Sequence, residues 1–212
     1  MKIIFFLLLI CLTNYAQQPC LGTPTIKYEG KIYNTVLIGT QCWLKENLDV
    51  GVQIKDSSIQ LNNGIIEKYC YNDDPVNCSN YGGLYQWNES MQYDTLEKSK
   101  GICPVGWHIP SKAEFDTLSK FVHGKGNSLK TINQGKENGI ATNTSGFSAL
   151  LSGYRYINGV FYRYKKTACF WSSSGGSKSL VYNMNLNEKD NDVSLDKFNL
   201  INGFSVRCLM DY

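Results

Sequence analysis

The sequence predicts an α+β domain of two main helices, short antiparallel strands, long loops and disulfide staples. Three observations predict it. A capping box at Ser111 opens a helix. Asn158-Gly159 stands between two aromatic runs, as in a hairpin. Eight cysteines occur in a chain that begins with a short apolar leader. The 212 residues are enough to bury a sizeable core. We read residues 1–16 as a signal peptide and 17–212 as one domain, with 17–30 as its N-terminal extension.

The leader has Lys2 as its charged start, an apolar run from Ile3 to Leu12, and Ala16 as a small residue before the cut. The run is too short to span a bilayer. Ile10 precedes Cys11 where a lipidation motif needs a small residue, so ordinary cleavage near Ala16/Gln17 is expected. The expected address is secreted or cell surface, with no transmembrane segment in the mature chain. Export sets how the cysteines are read. Removing Cys11 leaves Cys20, Cys42, Cys70, Cys78, Cys103, Cys169 and Cys208. No C-x-x-C occurs and only two histidines exist, so no zinc pattern forms and disulfides are the natural reading.

The elements follow in order. Thr25–Tyr28 and Lys31–Ile38 flank Glu29-Gly30 and read as a hairpin. Gln41–Leu44 reads as a short strand, 51–64 as an exposed loop, Ile65–Tyr71 as a strand and Asn72–Asn80 as a loop. Asp73-Asp74 lacks the alternating oxygen ligands of a calcium loop and reads as solvated charge. Leu84, Trp87 and Met91 share a helical face, predicting a short helix over Gly83–Tyr93. In the capping box, Ser111 and Glu114 exchange hydrogen bonds, and Phe115, Leu118 and Val122 form the buried face, with Gly124 as the stop. Trp107 and His108, just before it, read as packing residues. Ser128–Ile132 reads as a helical turn. Asn158-Gly159 predicts a type I′ turn between Tyr154–Ile157 and Val160–Tyr164. Ala168–Ser173 reads as a central strand. Leu180, Tyr182, Met184 and Leu186 alternate with polar residues, as do Phe204, Val206 and Cys208, the expected closing strand.

No nucleophile elbow, zinc-protease helix or phosphate loop is present, and no catalytic residue is predicted. A net charge of +3 is too mild and dispersed for nucleic acid. On the 154–166 hairpin, Tyr154, Arg155, Tyr162 and Arg163, with Tyr156, Tyr164, Lys165 and Lys166, combine aromatic and basic groups able to contact an anionic glycan. The bland alternative is a strand pair with one wet face. Tyr154, Arg155, Tyr162 and Arg163 are the candidate ligand-binding residues.

The run Cys103-Pro-Val-Gly-Trp-His-Ile-Pro-Ser-Lys-Ala-Glu-Phe115 resembles the signature of the Fibrobacter succinogenes major paralogous domain family. Val36-Leu-Ile-Gly-Thr-Gln-Cys-Trp-Leu-Lys-Glu-Asn-Leu, Tyr81-Gly-Gly-Leu-Tyr-Gln-Trp, Gly146-Phe-Ser-Ala-Leu, Gly153-Tyr-Arg, Phe170-Trp-Ser-Ser and Gly203-Phe-Ser-Val-Arg-Cys follow the same family in order, from about Lys31 to Asp211. The family has no settled activity. The resemblance implies a C-type-lectin-like fold, a superfamily that also holds the formylglycine-generating enzymes. The calcium–sugar motifs of that superfamily are absent, and Cys169 has no clear second thiol for copper. No metal and no cofactor is therefore expected.

The resemblance also implies that Cys103 pairs with Cys208, as the first and last cysteines of the superfamily do. Cys70 and Cys78 bound a short loop that can close on itself, and Cys20 and Cys42 flank the first hairpin. Six cysteines allow fifteen pairings and local sequence does not choose among them; resemblance and closure together give these three. Cys169 is left as a free thiol, buried and inert in an apolar strand. The expected function is an exported, non-catalytic binding or adhesion module whose partner is a surface glycan or protein. An enzyme related to the formylglycine-generating group and a structural surface component are the alternatives.

Overall fold

The computed structural model describes residues 17–211 apart from 176 and 178. The predicted leader, residues 1–16, lies outside the described residues.

The first hairpin forms as read. Strands β1 (Thr25–Tyr28) and β2 (Lys31–Ile38) pair antiparallel, with Tyr28 opposite Lys31. Glu29 and Gly30 both take positive φ, 47° and 76°, as a two-residue hairpin loop requires. β3 (Gln41–Leu44) returns against β2, with Val36 opposite Trp43.

Departures begin after Asp49. The stretch read as an exposed loop carries β4 (Val52–Gln53), which pairs in parallel with β5 (Glu67–Lys68). The strand expected over Ile65–Tyr71 shrinks to that pair. The loop expected over Asn72–Asn80 holds helix α1 (Pro75–Tyr81). Asp74 caps it by accepting from the Val76 amide, and Pro75 occupies the first turn, where its missing N–H costs nothing. The Asp-Asp-Pro run is thus a helix start. The helix expected over Gly83–Tyr93 is one turn, α2 (Trp87–Ser90), because Leu84 is drawn into a backbone bridge with Tyr69.

Beyond β6 (Trp107–His108), α3 (Lys112–Phe121) carries the full capping box at Ser111 and Glu114. Gly124 adopts φ 72° just past its end. Phe115, Leu118 and Val122 are buried with Trp43, Phe147, Phe170, Met184 and Leu186 in one core cluster. Each such apolar side chain stabilises the fold by about 1.5–3 kcal/mol.

The second hairpin pairs β7 (Tyr154–Arg155) with β8 (Phe161–Tyr162), Tyr154 opposite Tyr162. The register makes the loop three residues, 157–159. Among these only Gly159 has positive φ, 88°. The turn is therefore not type I′, which needs both central residues at positive φ.

A three-stranded antiparallel sheet runs in the order β11 (Ser194–Asn199), β10 (Leu180–Asn187), β9 (Thr167–Gly175). β9 lies at its edge, not its centre, and β11 is a strand that the 189–192 turn only hinted at. The edge of β9 is covered by Ser205, which exchanges backbone bonds with Cys169 and Trp171. The expected closing strand is broken: Phe204 bridges Tyr85, Ser205 bridges Phe170, and only β12 (Leu209–Met210) joins a sheet. That sheet has the order β1-β2-β3-β12-β6.

Three disulfides form: Cys20–Cys42, Cys70–Cys78 and Cys103–Cys208. Cys103 and Cys208 lie in the second core cluster with Trp107, Ile109, Trp171 and Phe204. Among the described residues no helix is long and apolar enough to cross a membrane.

Candidate functional site

The four ligand-binding residues expected on the second hairpin do not form one surface. Alternation along β7 puts Tyr154 and Arg155 on opposite faces. Tyr154 is half-buried, edge-on to Phe204 at 5.8 Å, and Tyr162 stands exposed across from it at 6.1 Å. Arg155 turns inward and is only 3% exposed. Its Nε and Nη2 donate to the Asp56 carbonyl at 2.9 and 2.5 Å, and its guanidinium lies 4.3 Å from the Tyr69 ring. Arg155 is thus a brace between the hairpin and the 51–64 segment, a correction to its expected place on the basic face. Arg163 lies past the end of β8, at φ 62°, on another part of the surface.

That surface is a basic cleft in two parts. One depression, about 380 Å³, is lined by Tyr81, the 133–136 segment, Lys165 and Glu188. The other, about 240 Å³, is lined by Arg163, Lys166 and the 187–190 turn. Glu188 belongs to both and separates them. Lys136 reaches Glu188 at 3.4 Å. Lys165 lies over the Tyr164 ring at 5.3 Å, and Tyr164 meets Tyr81 edge-on at 5.2 Å. Arg163 and Lys166 have no acidic partner within ion-pair reach among the described residues.

The walls of the cleft are fixed from beneath. Lys130 is fully buried, and its ammonium donates to the carbonyls of Gly139, Asn187 and Asp190 at 2.7, 2.7 and 2.9 Å. Burial lowers its pKa, and Asp190 opposes that by attraction. The three carbonyls satisfy its three protons, so one cation ties the 133–139 segment to the 187–190 turn. Gly135 allows the close fold of that segment: at φ 79°, a Cβ there would stand 2.0 Å from the Gly139 carbonyl oxygen.

Two other ionisable constellations are structural. His108, 5% exposed, links two carboxylates: Nδ1 to Asp211 at 2.6 Å and Nε2 to Glu114 at 3.2 Å. Burial works to lower the His108 pKa, but the two carboxylates outweigh it and raise it. Burial likewise works to raise Glu114, yet His108, Ser111 and Lys98 as donors hold its pKa down to about 2. Arg207 is fully buried between the Phe147 and Phe170 rings, 4.5 and 5.4 Å away. It donates to Asn47 Oδ1 at 2.7 Å and to the Leu44 and Phe147 carbonyls at 3.0 and 2.5 Å. Cys169 is the free thiol; burial pushes its pKa far up, which disfavours the reactive thiolate.

A further polar cleft lies where the start of α3 meets the end of β9, lined by Glu97, Lys112, Asp116 and Ser174. Its charged groups are engaged with one another: Lys112 bonds Asp116 at 2.6 Å and Ser174 donates to Glu97. Among the described residues no group of three His, Cys, Asp or Glu side chains is placed to hold a metal ion.

Of the hairpin residues singled out in the sequence, only Arg163, Lys165 and Lys166 line the basic cleft. Tyr81, Lys130, Lys136, Glu188 and Lys189 escaped sequence reasoning. The only signal they gave was a Gly/Asn/Lys-rich 124–145 segment and a charged 188–192 turn, which nothing local ties to the hairpin.

Fold and site together define a disulfide-stapled protein of mixed helix and sheet with an open basic cleft on its surface. Residues 36–210 match the family model of the Fibrobacter succinogenes major domain, and the chain belongs to that family. No curated protein and no solved structure matches the chain.

Proposed function

We propose that the chain is an exported, non-catalytic binding or adhesion module of the bacterial cell surface, built on a C-type-lectin-like fold. The open cleft carries the reading. Its cations stand on rigid walls, and Arg163 and Lys166 are left unpaired, as groups awaiting a ligand are. The leader read at residues 1–16 and three disulfides support export. The Cys103–Cys208 link, which joins the approach to α3 with the chain's last strand, supports the lectin-like reading. The copper-enzyme alternative is weakened by Cys169, a thiol only 2% exposed on a covered strand. Two measurements test the proposal. Fractionation should find the chain outside the cytoplasm and starting near Gln17. The purified, oxidised protein should be retained by immobilised cell-surface polymers. A folded protein that binds no surface polymer or protein, or turns over a substrate through a copper site, overturns it.

A further inference from the structure

We infer that the two-part cleft takes an acidic polysaccharide in which charged and neutral sugar residues alternate. The inference rests on the binding-module reading and names its ligand class.

The charge pattern comes first. Five basic side chains line or rim the two depressions, from Lys136, Arg163, Lys165, Lys166 and Lys189, against Glu188 and Asp190. Arg163, Lys165, Lys166, Lys136 and Lys189 are all exposed. Beneath them Lys130 adds a buried positive charge whose partners are carbonyl dipoles. Solvent and salt screen such a charge less than a surface one. The field over the cleft is therefore positive and partly salt-resistant.

Shape and the central acid then select the ligand. Two open depressions sharing a ridge fit a length of polymer better than one enclosed small molecule. The ridge is Glu188, whose side chain is only 15% exposed and held by Lys136. A chain with an anion at every unit would place a charge against that carboxylate. An alternating chain places a neutral sugar there, whose hydroxyls donate to Glu188, and puts its carboxylates or sulfates on the cations to either side. Tyr81, lining the larger depression, offers the aromatic surface that a sugar ring packs on.

Preorganisation points the same way. Arg163 and Lys165 hold φ of 62° and 57°, and Asn133 and Glu137 on the opposite wall hold 69° and 54°. Non-glycine residues resist this region, and such conformations cluster at ligand clamps. Lys130 keeps the two walls in register.

The test uses the oxidised protein from Gln17 onward in calorimetric titrations at two salt concentrations. The probes are an alternating uronic-acid polysaccharide, dextran sulfate, neutral dextran, polyphosphate, and vesicles of anionic phospholipid. Binding of the alternating polymer, weaker at high salt and absent with neutral dextran, is expected. Arg163→Ser with Lys166→Ser should weaken it by about tenfold, as losing one charge-assisted contact does, with the thermal transition unchanged. Glu188→Gln should strengthen dextran sulfate relative to the alternating polymer. Unaltered binding in the double variant overturns the site. Preference for polyphosphate or vesicles overturns the ligand class. Retention on neutral glycans or proteins alone also overturns it, yet leaves the binding-module reading standing; binding to nothing counts against both.

Discussion

Removing the Cys103–Cys208 disulfide should cost more stability than removing either other link. The link spans 105 residues, so the unfolded chain gains most freedom when it is cut. Chain-entropy reasoning gives about 4.7 kcal/mol for that loop, against about 3.4 kcal/mol for the 22-residue Cys20–Cys42 separation and about 2.5 kcal/mol for the 8-residue Cys70–Cys78 separation. Packing adds in the same direction. Cys103 and Cys208 are fully buried among Trp107, Ile109 and Val206, so alanines there also leave a void. The assay is urea unfolding of the three double Cys→Ala variants, each with the remaining disulfides oxidised. The Cys103→Ala/Cys208→Ala protein should also show the steepest denaturant dependence, because its unfolded ensemble is the least confined. If it proves as stable as the Cys70→Ala/Cys78→Ala protein, then the unfolded state stays compact without the long link and the entropic account fails.

Three other outcomes follow from the buried charges. Arg207→Ala unpairs Asn47 and two carbonyls and empties the space between Phe147 and Phe170; it should cost about 3–5 kcal/mol in urea unfolding, and a loss under about 1 kcal/mol would deny Arg207 its role. Ser111→Ala removes the cap of α3 and should cost about 1 kcal/mol by the same measurement. Stability should peak between about pH 4.5 and about pH 6.5 where the His108 clamp is concerned. A carboxyl whose pKa falls from 4.5 to about 2, as for Glu114, contributes about 3 kcal/mol that is present above 4.5 and lost as pH drops toward 2. The raised His108 pKa contributes stability that is complete below 6.5 and lost as pH rises through the folded value. The charged groups facing His108 are Glu114 and Asp211, with Lys98 on Glu114. A thermal-melting profile in which His108→Gln leaves the alkaline limb unchanged would refute the clamp.

Much of the framework was legible because it is written in local rules. The capping box needs two residues three apart, and it formed as read. The 25–38 hairpin needs a turn pair and alternation, and both were visible. Where local signals competed, reading failed. Asp73-Asp74-Pro75 carries both turn and helix-start chemistry, and only the packing of Cys78 onto Cys70 and Tyr69 decides for the helix. Asn158-Gly159 suits a two-residue turn, but the cross-strand register of Tyr154 with Tyr162 leaves room for three. Leu84 has helical spacing to Trp87, yet its backbone pairs with Tyr69.

The sequence by itself determined the family, the first hairpin, the main helix and the buried, unreactive character of Cys169. Each depends on residue type and spacing along a short stretch, or on a run of motifs in order. Tertiary structure alone decided what the charges do. Arg155, Lys130 and Arg207 look in sequence like any surface cation, and all three are buried. A long cationic side chain can go inside only where carbonyls from other segments already converge. Those carbonyls belong to Asp56, to Gly139, Asn187 and Asp190, and to Leu44 and Phe147. The basic cleft has the same origin, since its cations come from three loops that share no local pattern and meet only when the core brings their ends together.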